Sequence, residues 1–104
     1  MTRAALPVVF TPTAERQVER AQAWWAENRP AAPDAILGEL RAGLQLVASQ
    51  PACGAPVVRA RFAGVRRIFL GQIGYFLYYR VAPRKQRLEV LAFWHSRRGS
   101  MPDL

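Results

Sequence analysis

The sequence predicts an α+β fold, and three features carry that expectation. Its first half holds two stretches of helical periodicity, its second half holds three strand-like stretches, and short turn-type connectors join those three. Helices followed by strands, without strict alternation, indicate a helical pair laid on an antiparallel sheet.

The elements follow in order. "LPVVF", residues 6–10, is a short N-terminal strand, and "TPT" follows with Thr11 placed to cap a helix and Pro12 at its first position. Over residues 12–28 Ala14, Val18, Ala21 and Trp25 recur at steps of four and three, which is one face of an amphipathic helix. Trp24 points about 100° away from Trp25, so Trp25 takes the core and Trp24 packs at its edge. "NRPAAPD" breaks the helix, and Asp34 is placed to cap a second one in which Leu37, Leu40, Leu44 and Val47 keep helical spacing. Gly38 and Gly43 each weaken that helix by about 1 kcal/mol relative to alanine, so its stability must come from packing. Strands are expected over residues 65–70, 75–82 and 87–94, joined by "GQIG" and "PRKQ" as antiparallel hairpins.

With 104 residues, 51% of them hydrophobic and 21% charged, the chain is read as one folded domain, 1–104. A chain of this size buries about 65% of the surface its unfolded form exposes. Fifteen Lys+Arg against seven Asp+Glu give a net charge of +8, and Lys85 is the only lysine. Arginine presents a planar fork of donors that suits carboxylate and phosphate oxygens, so the excess points to an acidic protein partner or a nucleic acid. Cys53 has no second cysteine to pair with, and no spaced His/Cys set indicates a metal. No cofactor motif is present. "AALPVVF" is too short and too proline-broken for a membrane span or signal peptide, so a cytoplasmic location without membrane partner is expected.

Strand alternation assigns faces. Tyr75, Leu77, Tyr79 and Val81 share one side of the middle strand, and Leu88, Val90, Ala92 and Trp94 share one side of the last. If helices cover that apolar side, then Arg67, Phe69, Phe76, Tyr78, Arg80, Leu91, Phe93 and His95 lie on an open one. Arginines mixed with aromatics on a bare sheet face mark a docking surface, and the ten residues after Trp94 are expected to give it little cover.

The stretches "TPTAERQVERAQAWWAENRP", "ILGELRAGLQLVASQPACGAP", "GVRRIFLGQIGYFLYYRV" and "LEVLAFWHSRRG" together resemble the small toxins of type II toxin-antitoxin systems in the RelE/ParE superfamily. The resemblance spans roughly residues 8–99. It rests on the helix hairpin ending in Leu…Pro…Gly, Gly64 with Arg66, the Tyr-Tyr-Arg-Val strand, and a last strand closing on His-x-Arg-Arg. It implies a strand, a helical hairpin and a three-stranded meander. It also implies a hetero-oligomer with a cognate antitoxin, whose acidic C-terminal segment would meet Arg67, Phe69, Phe76, Tyr78, Arg80, Phe93, Arg97 and Arg98.

Two activities divide that superfamily. RelE-like members cut mRNA on the ribosome, and under that reading His95, Arg67 and Arg97 are the catalytic candidates, as proton acceptor and phosphate-neutralising cations. Phe69 and Phe76, however, stand where RelE-like nucleases tend to carry Lys or Arg, and Ser96 stands where some carry Tyr. ParE-like members lack the set and inhibit DNA gyrase. A histidine can act as a base near neutral pH, but as a structural residue His95 would close the last strand on a backbone group. The resemblance therefore implies a ParE-like binding toxin, with the ribosome-dependent endonuclease as alternative. An inert remnant that serves only as an antitoxin sink or transcriptional corepressor is the third reading.

Overall fold

The computed structural model describes residues 5–82, 84 and 86–104. Strand β1 (Val8–Phe10) is followed by helices α1 (Pro12–Asn28) and α2 (Ala35–Ser49), a 3-10 turn at Pro51–Cys53, and strands β2 (Ala55–Pro56), β3 (Arg66–Leu70), β4 (Tyr75–Ala82) and β5 (Arg87–His95). A second 3-10 turn, Ser96–Arg98, ends the regular structure. The sheet order is β1-β5-β4-β3-β2, with β1 parallel to β5 and the other pairs antiparallel. This is the α+β arrangement expected, with β2 added. Two residues, one of them Pro56, give too little pattern to announce a strand.

Helix α1 begins as its sequence dictates: the Thr11 hydroxyl accepts the Ala14 amide at 3.1 Å, and Pro12 takes the first position, where a missing N–H costs nothing. Ala14, Val18 and Ala21 are buried, and Trp25 packs against them with its Nε1 donating to the Ala32 carbonyl at 2.7 Å. Trp24, expected to pack at the edge of the core, is 46% exposed.

Helix α2 keeps Leu40 and Val47 buried and Leu44 against the core, as its spacing indicated, but not Leu37. Ile36, Leu40, Gly43 and Val47 are buried while Leu37 is exposed, so the inward stripe starts one residue earlier than leucine spacing indicated. The reason is Gly43: a Cβ there would lie 2.9 Å from Leu70 Cδ2, so the missing side chain lets α2 press against β3. Asp34 holds the cap position, but its side chain makes no capping bond.

The larger correction concerns the last strand. Tyr78 pairs with Ala92 and Tyr79 with Val90, leaving Leu91 as an extra residue in a β-bulge. Leu91 and Ala92 consequently belong to the same side, and every residue beyond them changes face relative to simple alternation. Phe93 joins the core under the helices with Leu77, Leu88 and Val90, whereas Trp94 goes to the opposite side.

That opposite side is also less bare than expected. Gly99, at φ 72°, turns the chain back, Trp94 Nε1 donates to the Ser100 carbonyl at 2.7 Å, and the Arg61 amide donates to the Leu104 carbonyl at 2.6 Å. Pro102 and Leu104 are thereby buried, and Leu104 packs on Val65, Tyr78, Leu91 and Ala92. The short tail covers more than its length indicated because it sets Leu104 onto the face. Phe69, 54% exposed, remains outside that cover.

Candidate functional site

The surface left open runs along β3 and β4 to the end of β5. Cross-strand pairing sets Phe69 opposite Phe76, with ring centroids 5.1 Å apart, and Arg67 opposite Tyr78. The Arg67 guanidinium lies 4.1 Å over the Phe76 ring, and its Nη1 donates to the Tyr78 hydroxyl at 3.0 Å. A cation fixed by one ring and one phenol has lost most of its rotamer freedom before any partner arrives, which lowers the entropy cost of binding. Trp94 extends the aromatic surface, with the Arg98 guanidinium 4.1 Å over its ring.

Arg80 behaves differently. Its Nε donates to Glu89 Oε1 at 3.0 Å, and Arg87 Nη2 donates to Glu89 Oε2 at 3.1 Å, so one carboxylate is held by two guanidinium groups. Burial alone would raise the Glu89 pKa, but the hydrogen bonds from Arg87 and Arg80 and their charges together outweigh it and hold the carboxyl below its ordinary 4.5. A depressed native pKa contributes stability above the unfolded value and loses it as pH falls through the native one. Acid titration of the folded protein is therefore expected to show a stability loss beginning near pH 4.5 and deepening below it, and Glu89→Gln should lack that increment in urea melts taken down the pH scale.

The residues proposed from sequence thus separate. Arg67, Phe69, Phe76, Arg97 and Arg98 present surface, while Tyr78 and Phe93 are buried and offer a partner none. Phe93 was misplaced by the bulge, and Tyr78 was closed over by Leu104. Arg80 is on the expected side, but its charge is spent on Glu89. Trp94 belongs to the patch, and strand alternation alone had sent it to the core.

The three candidates for RNA cleavage converge only in part. Arg67 and His95 border one hollow of about 250 Å³ with Phe76, Tyr78, Trp94 and Ser96, and Arg97 does not border it. The His95 ring, however, leans edge-on against Tyr75 at 4.9 Å, on the helix-covered side to which the bulge delivers it. Its Nδ1 accepts the Arg97 amide at 3.0 Å, so the imidazole caps the terminal turn. Among the described residues no group of three or more His, Cys, Asp or Glu is placed to hold a metal, and no helix is long and apolar enough to cross a membrane. Cys53 is exposed and free.

Strand, helix pair and antiparallel strands in this order form the RelE/ParE fold. Residues 8–99 match the family model of the ParE toxin of type II toxin-antitoxin systems, parDE, and the chain belongs to that family. Among solved structures it is similar to a chain of the chromosomal ParDE toxin-antitoxin system from P. aeruginosa, with TM-score 0.69 and 13% identity over 88% of this chain and 96% of that one. It is also similar to a chain of the toxin-antitoxin complex RelBE2 from Mycobacterium tuberculosis, with TM-score 0.58 and 24% identity over 88% of this chain and 99% of that one. No curated protein sequence matched.

Proposed function

We propose that this toxin acts by binding, in the cytoplasm, with DNA gyrase as its target and a cognate antitoxin as its inhibitor in a hetero-oligomer. The target follows the ParE-like branch that the sequence resembles, in which gyrase is the protein inhibited. The antitoxin would bring an acidic segment to the arginine-flanked aromatic patch, where complementary charge raises the association rate and burial of Phe69 and Phe76 slows release.

One observation carries the choice of binding over cleavage: the histidine that would serve as base uses its Nδ1 to cap the chain's last turn, and its ring rests on Tyr75. A base for a 2′-hydroxyl must reach that proton with a free nitrogen, and Phe69 and Phe76 stand where the RelE-like nucleases that the chain resembles tend to carry Lys or Arg. His95→Ala should therefore leave growth arrest on induced expression in place. It should also lower stability by about 1 kcal/mol through loss of the cap. Under the endonuclease reading the same substitution would abolish growth arrest, and expression followed by separate replication and translation assays distinguishes the two.

A further inference from the structure

A second hollow lies between α1 and the end of β5, and Arg98, which stacks on Trp94 of the aromatic patch, also borders it. It encloses about 380 Å³, the size of a small-ligand site. No carboxylate lines it, and its charged groups are two guanidinium groups. Arg20 enters from α1 and Arg98 from the terminal turn, and neither makes an ion pair among the described residues. Arg98 is held by its stacking on Trp94, which leaves the in-plane donors of its guanidinium uncommitted.

Three more donors surround them. β1 ends at Phe10, opposite Val90, so the Phe93 amide finds no strand partner on that edge and donates to Gln17 Oε1 at 2.8 Å. The carboxamide is thereby oriented, with its NH₂ left over. His95 Nδ1 accepts the Arg97 amide, which assigns the ring proton to Nε2. The Tyr75 hydroxyl makes no hydrogen bond among the described residues. Burial raises its pKa, and the charge of Arg98 acts on it in the opposite direction. A site bordered by two guanidinium groups outside any ion pair among the described residues, and by no carboxylate, is complementary to an oxyanion.

The hollow also has flat apolar walls. Trp24 is 46% exposed at its mouth, and Tyr75 and Phe93 stack at 4.5 Å with 7° between their planes beneath it. We propose that this hollow binds a nucleotide, its phosphate between Arg20 and Arg98 and its base against Trp24. The hollow has room for about one nucleotide. A phosphate adjoining a base is offered both by a free mononucleotide and by the 5′-phosphorylated end of a single strand. The inference does not depend on gyrase being the toxin's target.

Isothermal titration of the full chain with adenosine monophosphate, adenosine and inorganic phosphate tests it. The mononucleotide should bind at least ~10-fold more tightly than either fragment, and Arg20→Gln, Arg98→Gln and Trp24→Ala should each weaken it ~10-fold. Arg59→Gln, which removes the same charge from the exposed 57–65 loop, should leave it within ~2-fold. Oligonucleotides with and without a 5′-phosphate separate the sources: a preference for the phosphorylated end that Arg20→Gln removes assigns a strand terminus, and equal binding of both assigns the free nucleotide. No binding of adenosine monophosphate at ~5 mM overturns the proposal. So does phosphate binding as tightly as the nucleotide, or Arg59→Gln weakening binding as much as Arg20→Gln.

Discussion

Gly54→Ala should destabilise this protein by about 2–4 kcal/mol, among the largest effects of any single methyl group added to it. A Cβ at position 54 would lie 2.5 Å from the Tyr79 hydroxyl and 3.0 Å from the Arg67 carbonyl. Neither neighbour can withdraw freely. The Tyr79 ring is 1% exposed, and its hydroxyl donates to the Pro51 carbonyl at 2.7 Å while accepting the Gly54 amide at 3.0 Å. Displacing the phenol leaves buried polar groups unpaired, and displacing the backbone disturbs the pairing of β2 with β3. Arg66 closes the same corner by donating to the Gly54 carbonyl at 2.7 Å.

Tyr79→Phe isolates the polar part of that effect and should cost about 1–3 kcal/mol, because the Gly54 amide loses its acceptor inside the protein. The double variant should cost less than the two single ones added together, since removing the hydroxyl relieves the 2.5 Å contact. Urea denaturation of the four proteins gives the cycle, and strict additivity would show that the phenol does not govern this corner.

Phe69→Ala should weaken antitoxin binding about 30-fold while changing stability by less than about 1 kcal/mol. The separation follows from exposure: Phe69 is 54% exposed and packs mainly on Phe76, so the fold has little to lose. A partner that covers it would desolvate a ring already ordered by its neighbour and by the Arg67 cation on Phe76. The loss should fall on the dissociation rate. Arg97→Gln, at an exposed position in the terminal turn, should instead slow association and flatten its salt dependence. Surface plasmon resonance at two salt concentrations reads both, and an unchanged dissociation rate for Phe69→Ala would remove this patch from the interface.

Particular residues show how far the sequence was legible. Thr11, Pro12 and the Ala14–Val18–Ala21–Trp25 spacing determine α1 locally, so its bounds were readable without tertiary information. The strands β3, β4 and β5 were readable for the same reason, from hydrophobic runs cut by turn residues. Leu91 was not, because a bulge is decided by how two strands fit and has no mark in either strand alone. One extra residue moved Phe93 and His95 under the helices and brought Trp94 out, while the backbone bond expected of a structural His95 is the one its Nδ1 accepts from the Arg97 amide. Gly43 was read only as a weak helix residue, since close approach to Leu70 is a property of the packed pair. The closure by Leu104 likewise depends on where the Gly99 turn aims the tail.

The measurement that bears most directly on the account is DNA supercoiling by purified gyrase in the presence of this toxin, run beside a translating system probed for mRNA cuts at the ribosomal A site. Supercoiling should fall as toxin is added, His95→Ala should inhibit as well as the native chain, and the message should stay intact. Unchanged supercoiling together with A-site cuts that disappear in His95→Ala would contradict it.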